Sequence, residues 1–111
     1  MKDLQFGLTG VYGRRPIDVS LPVVSEEALY RRPAFGKCFH VSSPANAVVS
    51  LFSKNADGVR RSATVDIRSA CRENSDIAIY IVRAENGGLY LRAYLDESVN
   101  GIFPLPSQLY Q

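Results

Sequence analysis

Residues Tyr80–Leu95 read YIVRAENGGLYLRAYL, two apolar runs on either side of Asn86-Gly87-Gly88. Strict alternation bounded by a glycine-rich turn predicts a β-hairpin. A three-residue loop over Asn86–Gly88, a type I turn closed by Gly88 in the left-handed region, places Glu85 opposite Leu89 and Ile81 opposite Ala93. One face then carries Ile77, Ile79, Ile81, Leu89, Leu91, Ala93 and Leu95. The other carries Tyr80, Val82, Tyr90, Arg92 and Tyr94. A two-residue Asn86-Gly87 loop would set Ile81 against Arg92 and mix the two sets, because a slip of one residue exchanges faces. Burial therefore selects the longer loop, which alone gives a uniformly aliphatic face.

The rest of the chain repeats the alternation. Leu4, Phe6 and Leu8 interleave with Gln5, Gly7 and Thr9. Ile17, Val19, Leu21 and Val23 interleave with Asp18, Ser20 and Pro22, and Pro22, lacking an N–H, puts that strand at a sheet edge or ends it. Phe35–Val41 is a further strand. Val48–Lys54 and Val59–Arg68 form a second hairpin around Asn55-Ala56-Asp57-Gly58, where Gly58 accepts positive φ. Arg61 interrupts the apolar face of the second arm close to its turn. The single helix signal is Ser25-Glu26-Glu27-Ala28-Leu29-Tyr30, a capping serine followed by acids in the first turn, stopped by Pro33.

These signals predict an all-β or β-dominated fold, a small antiparallel sandwich or barrel of six or seven strands with one short helix near 25–32, the alternative being α+β. At 111 residues the chain is expected to be one domain over 1–111, with a Pro-containing C-terminal extension at 102–111. That extension, IFPLPSQLYQ, favours an extended path and is expected to close the core through Ile102, Phe103 and Leu105, or to dock on a second copy as a homodimer.

Composition narrows the function classes. An apolar fraction of 46% with 22% charged residues is globular rather than disordered. No run reaches the roughly 18 apolar residues that a membrane span needs, and the MKDLQFGLTG start has an acid and glycines in place of an apolar signal stretch; the expected location is cytoplasmic, with no membrane partner. Two cysteines, Cys38 and Cys71, and the single His40 do not close a zinc site without a carboxylate, and in a reducing compartment both thiols are expected to be buried. Cys38 and His40, two apart on one strand, share a face but lack the geometry of a nucleophile–base pair. The sequence contains no glycine-rich phosphate loop, GxSxG or HExxH motif. A non-enzymatic role with no cofactor and no metal is expected.

Charge is unevenly placed. Residues 1–72 hold eleven Lys or Arg against six acids, and residues 73–111 hold two against five. Ten of the thirteen basic residues are arginines, the cation whose planar fork suits interfaces. Two near-repeats, Tyr12-Gly13-Arg14-Arg15-Pro16 and Tyr30-Arg31-Arg32-Pro33, supply Arg pairs, with Arg60 and Arg61 as a third.

The candidate binding residues are accordingly Tyr80, Tyr90, Arg92 and Tyr94 on the hairpin, with Arg14, Arg15, Arg31 and Arg32 as a basic flank. Tyr and Arg are the residue types that dominate binding hot spots. The expectation is a small accessory or inhibitor-type protein that binds a macromolecular partner, foremost a protein, through a Tyr/Arg-rich β face. The alternatives are single-stranded nucleic acid or RNA on the same face, where bases stack on rings and Arg meets phosphate, and a small ligand held inside a barrel by Tyr hydroxyls and His40.

Overall fold

A computed structural model describes residues 4–12, 15–26, 37–41, 43 and 47–110, of which 10–12, 15–17, 37 and 38 are described by their backbone alone. The described residues form nine strands: β1 Gln5–Tyr12, β2 Arg15–Ser20, β3 Val23–Ser25, β4 Lys37–Val41, β5 Val48–Lys54, β6 Arg60–Asp66, β7 Ser75–Arg83, β8 Leu89–Tyr94 and β9 Asn100–Pro104. A four-stranded sheet runs β2-β1-β5-β6, antiparallel throughout. A five-stranded sheet runs β3-β7-β8-β9, and β4 also pairs with β7. β3 and β4 share one edge of β7, β3 running parallel beside Ile81–Arg83 and β4 antiparallel beside Ser75–Ile79. The fold is thus β-dominated, with two open sheets rather than a closed barrel.

Two of the nine strands go beyond the six or seven expected, and each has a local cause. The run Ile17–Val23 divides at Leu21-Pro22. The Leu21 N–H donates to Phe6 O in the four-stranded sheet at 2.9 Å, and the Pro22 carbonyl accepts from Ile81 N in the other sheet, also at 2.9 Å. Proline has no N–H to extend the first ladder, so the chain changes sheets within two residues. The other addition is β9, inside the expected tail. Its Phe103 packs against the core and Leu105 is 3% exposed, but Ile102 is 45% exposed. Ile102 therefore does not close the core: residues alternate across a strand, and it shares the outer face with Pro104. Of the expected short helix near 25–32, Ser25 instead ends β3 and residues 27–32 lie outside the described residues.

Both hairpins use a three-residue loop that ends in a left-handed glycine. In β5–β6, Gly58 has φ +83°, its N–H donates to Asn55 O at 3.0 Å, and the Asn55 side chain accepts from Asp57 N and Val59 N at 3.0 Å. In β7–β8, Gly87 has φ +86° and donates to Ala84 O at 2.9 Å, while Ala84 N donates to Gly88 O at 2.9 Å. The loop is therefore Glu85–Gly87, one residue earlier than the sequence reading placed it. Ile81 pairs with Leu91 and Ile79 with Ala93, two positions from the expected register. A shift of two preserves the face of every side chain, so the expected division into aliphatic and Tyr/Arg faces stands.

The inner faces meet in one apolar cluster, with Phe6, Leu8, Leu51, Ala63 and Val65 from one sheet and Ile77, Ile79, Ile81, Leu89, Leu91 and Ala93 from the other. A 3₁₀ turn at Ser107–Leu109 inserts Leu109, 0% exposed, into it. The Ser53 hydroxyl, 1% exposed on the inner side of β5, donates to Leu109 O at 2.5 Å, and Gln108 Nε2 donates to Ser62 O at 3.0 Å. Arg61, on the inner side of β6 beside the turn, reaches solvent.

On the four-stranded sheet an aromatic is buried on the outer side. Phe52 is 8% exposed on the outer face of the four-stranded sheet, its ring lying over Gly7 and its other side covered by the Arg60 guanidinium 4.2 Å from the ring centroid. Arg60 is held there by Asp18 at 2.6 and 3.1 Å and by Thr9 Oγ1 at 2.9 Å. The Arg60 guanidinium keeps the Asp18 carboxyl below its ordinary range. No helix among the described residues is long and apolar enough to cross a membrane.

Candidate functional site

The outer face of the five-stranded sheet presents three cross-strand rows centred on β8. Tyr90 lies between Val82 and Pro104, Arg92 between Tyr80 and Ile102, and Tyr94 between Ala78 and Asn100. Their order follows from the period of two: Leu89, Leu91 and Ala93 occupy the inner positions, so Tyr90, Arg92 and Tyr94 must face out. Exposure rises across the face. Val82 and Tyr80 on β7 are 0% and 1% exposed, Tyr90, Arg92 and Tyr94 are half-buried, and Ile102 is open to solvent. Tyr80 and Val82 lie outside the cluster that joins the two sheets. Tyr80 thus belongs to the buried floor of the face, and contact is left to Tyr90, Arg92, Tyr94 and Ile102.

Arg92 is the unusual member. Its Nη1 donates to Asn100 Oδ1 at 2.8 Å, and its guanidinium carbon stands 5.5 Å from the Tyr94 ring centroid. Asn100 is oriented for this by its own amide, whose Nδ2 donates to Asp96 O and Glu97 O at 3.0 Å each. Arg92 Nε is buried and donates to no acceptor. Arg60, Arg68 and Arg72 each face a carboxylate, Asp18, Asp66 and Asp96, whereas among the described residues none faces Arg92 or the exposed Arg61 and Arg83. The Asp96 carboxyl is held low chiefly by the Ser98 hydroxyl and by the Val99 and Ser98 backbone N–H groups, and it sits at the turn rather than on the face.

Towards the hairpin end the same face deepens into a recess of about 460 Å³, floored by Val82, Ala84, Tyr90 and Ile102 and rimmed by Glu26 and Glu85. Glu26 Oε2 accepts from Glu85 N at 3.0 Å, tying the end of β3 to the hairpin loop.

Of the expected basic flank, only the backbone of Arg15 falls among the described residues. Arg15 opens β2, in the other sheet, and Arg14, Arg31 and Arg32 lie outside the described residues. Arg60 is committed to Phe52, Asp18 and Thr9 within its own sheet. A barrel interior for a small ligand is not formed, since the sheets are open and the space between them is filled by the core.

The sequence reading missed Asn100, Ile102 and Glu26. For Ile102 the signal was present, in the alternation of Ile102 and Pro104 with Phe103 and Leu105. Asn100 and Glu26 act through contacts that no local pattern records.

The chemistry-bearing residues elsewhere are accounted for locally. Cys71 is a free thiol buried beside the 3₁₀ turn Arg68–Ala70, and desolvation raises its pKa. The side chain of Cys38 lies outside the described residues. His40 is exposed at the β4–β7 pairing, with Nδ1 2.8 Å from Asp76 Oδ1 and Nε2 3.0 Å from Asn74 Oδ1. Two acceptors at two ring nitrogens favour the imidazolium, which donates at both, so hydrogen bonding to Asp76 and then to Asn74 raises the His40 pKa above 6.5. A raised folded-state pKa stabilises the fold fully below the unfolded value near 6.5, and that contribution fades as pH rises through the folded value. An NMR titration should place the His40 midpoint above 6.5, and Asp76→Asn should move it down. A wild-type midpoint at or below 6.5 would contradict this geometry.

No protein-family model, no curated protein and no solved structure matches this chain.

Proposed function

We propose that the protein is a non-enzymatic interaction module that engages a protein partner through the outer face of its five-stranded sheet. The observation that carries this reading is Arg92, half-buried between Tyr90 and Tyr94, with Nε unsatisfied and no carboxylate opposite it among the described residues. A buried donor without an acceptor costs about 1–3 kcal/mol. An incoming acceptor removes that cost and adds a charge-assisted hydrogen bond. The open Ile102 beside it and the flanking tyrosines supply apolar area of the kind that surrounds binding hot spots.

Charge favours a protein over a nucleic acid. Residues 75–104, which include β7, β8 and β9, carry four acids, Asp76, Glu85, Asp96 and Glu97, against Arg83 and Arg92. A chain of phosphates would meet repulsion at both ends of the face, and its affinity depends on neutralising several of them.

Affinity capture from an extract of the native host tests the reading. Immobilised wild-type protein should retain a specific partner that Arg92→Glu and Ile102→Lys lose and Thr64→Lys, on the outer face of the other sheet, retains. Equal retention by all four, or retention only of nucleic acid, would overturn it.

A further inference from the structure

We infer that the segment bound on this face is an extended peptide carrying an acidic side chain, an apolar one and a basic one at alternate positions, the pattern acid-x-apolar-x-base. The inference rests on the protein-binding reading above and specifies its partner. The acid is the group that Arg92 lacks among the described residues. A carboxylate offers two oxygens in one plane, matching the guanidinium fork better than a neutral acceptor does, and the Tyr94 ring beside the guanidinium holds that fork in place.

The apolar position follows from the recess one step along β8. Its floor of Val82, Tyr90 and Ile102 is hydrophobic, and it lies directly beside the Arg92 row. The basic position follows from the rim. Glu26 and Glu85 converge there through the Glu26 Oε2 to Glu85 N hydrogen bond, and among the described residues neither carboxylate faces a cation.

Spacing connects the three. Arg92 is opposite Tyr80, and Ala84, after which Glu85 opens the loop, is four positions farther along the same chain, a distance of about 13 Å in extended backbone. An extended ligand covers that span in about four residues at about 3.3 Å each, and only its alternate side chains point at the sheet. The acid and base thus fall four apart with the apolar residue between them. A polyacidic ligand would satisfy Arg92 but collide with Glu26 and Glu85; a polybasic one would do the reverse.

The test is selection from a random twelve-residue peptide library displayed on phage, panned on the full wild-type protein. Enriched sequences should carry acid-x-apolar-x-base, and a synthetic consensus peptide should bind Arg92→Gln and Arg92→Lys at least tenfold more weakly than wild type, with each variant's thermal melt showing that it remains folded. Glu85→Lys, at an exposed position, should weaken the consensus peptide and prefer a peptide whose base is exchanged for an acid. Absence of any enriched peptide, enrichment without the pattern, or equal binding by Arg92→Gln would overturn the inference. If those results coincide with partner capture that Arg92→Glu abolishes, the peptide pattern fails while the protein-binding face stands; if capture is also insensitive to Arg92, both fail.

Discussion

Replacing Leu109 by alanine should cost about 3 kcal/mol of stability, the middle of the range for emptying a fully buried leucine site, and should lower Tm by roughly 15 °C in a domain of this size. Leu109 is 0% exposed although it sits in a single 3₁₀ turn. Its position is held by packing in the core and by two side-chain hydrogen bonds to backbone carbonyls. Ser53 donates to its carbonyl at 2.5 Å and Gln108 ties the turn to Ser62. Because those bonds fix the turn, the surroundings have little freedom to collapse into the space a truncated side chain leaves. Urea unfolding checks this, and a loss below about 1 kcal/mol would mean that the turn relaxes or is not docked. Ser53→Ala should cost less, about 1 kcal/mol, by leaving the Leu109 carbonyl without its donor.

Gly7→Ala should be nearly as damaging, although it adds a single methyl group on the outside of a sheet. The new Cβ would stand 2.4 Å from Cε1 and Cζ of Phe52 and 2.6 Å from the backbone oxygen of Val19. The ring could yield if Arg60 lifted from it, but the carbonyl belongs to the β1–β2 ladder and has nowhere to go. Overpacking of this kind costs about 1–3 kcal/mol, and the backbone clash places Gly7→Ala at the upper end. Phe52→Leu in the Gly7→Ala background should recover part of the loss by clearing the ring and leave the part due to Val19. Unchanged denaturation midpoints for Gly7→Ala would refute the ring-on-glycine packing.

What could be read in advance follows a physical divide. The faces of β7 and β8 were legible because side-chain direction depends only on parity, and parity survives a two-residue error in register. The register itself was not, because Gly87 and Gly88 adjoin and either can take positive φ; the bonds that Ala84 N donates to Gly88 O and Ala84 O accepts from Gly87 N decide for Gly87. Pro22 announced the end of a strand, since a missing N–H is a local fact, but not the move to the other sheet, which depends on Ile81. Arg60 read as part of a basic patch because its carboxylate, Asp18, lies 42 positions away. Tyr80 and Tyr90 shared a face in the sequence and share one in the fold, yet one is covered and the other half-open. Alternation tells which side a residue takes, not what lies beyond that side.

The two strands on one edge of β7 also set an order of events during synthesis. Val23 pairs with Ile81, 58 positions later, and Lys37 pairs with Ile79, 42 positions later. A ribosome adding about 5–20 residues per second therefore exposes β3 and β4 for seconds before their partner exists, whereas each hairpin closes within about 1–10 μs of its second arm emerging. All four strands of the β2-β1-β5-β6 sheet are synthesised before the strands that cover its apolar inner face. Until β7 and β8 leave the tunnel, that face is the part of the molecule most in need of a chaperone.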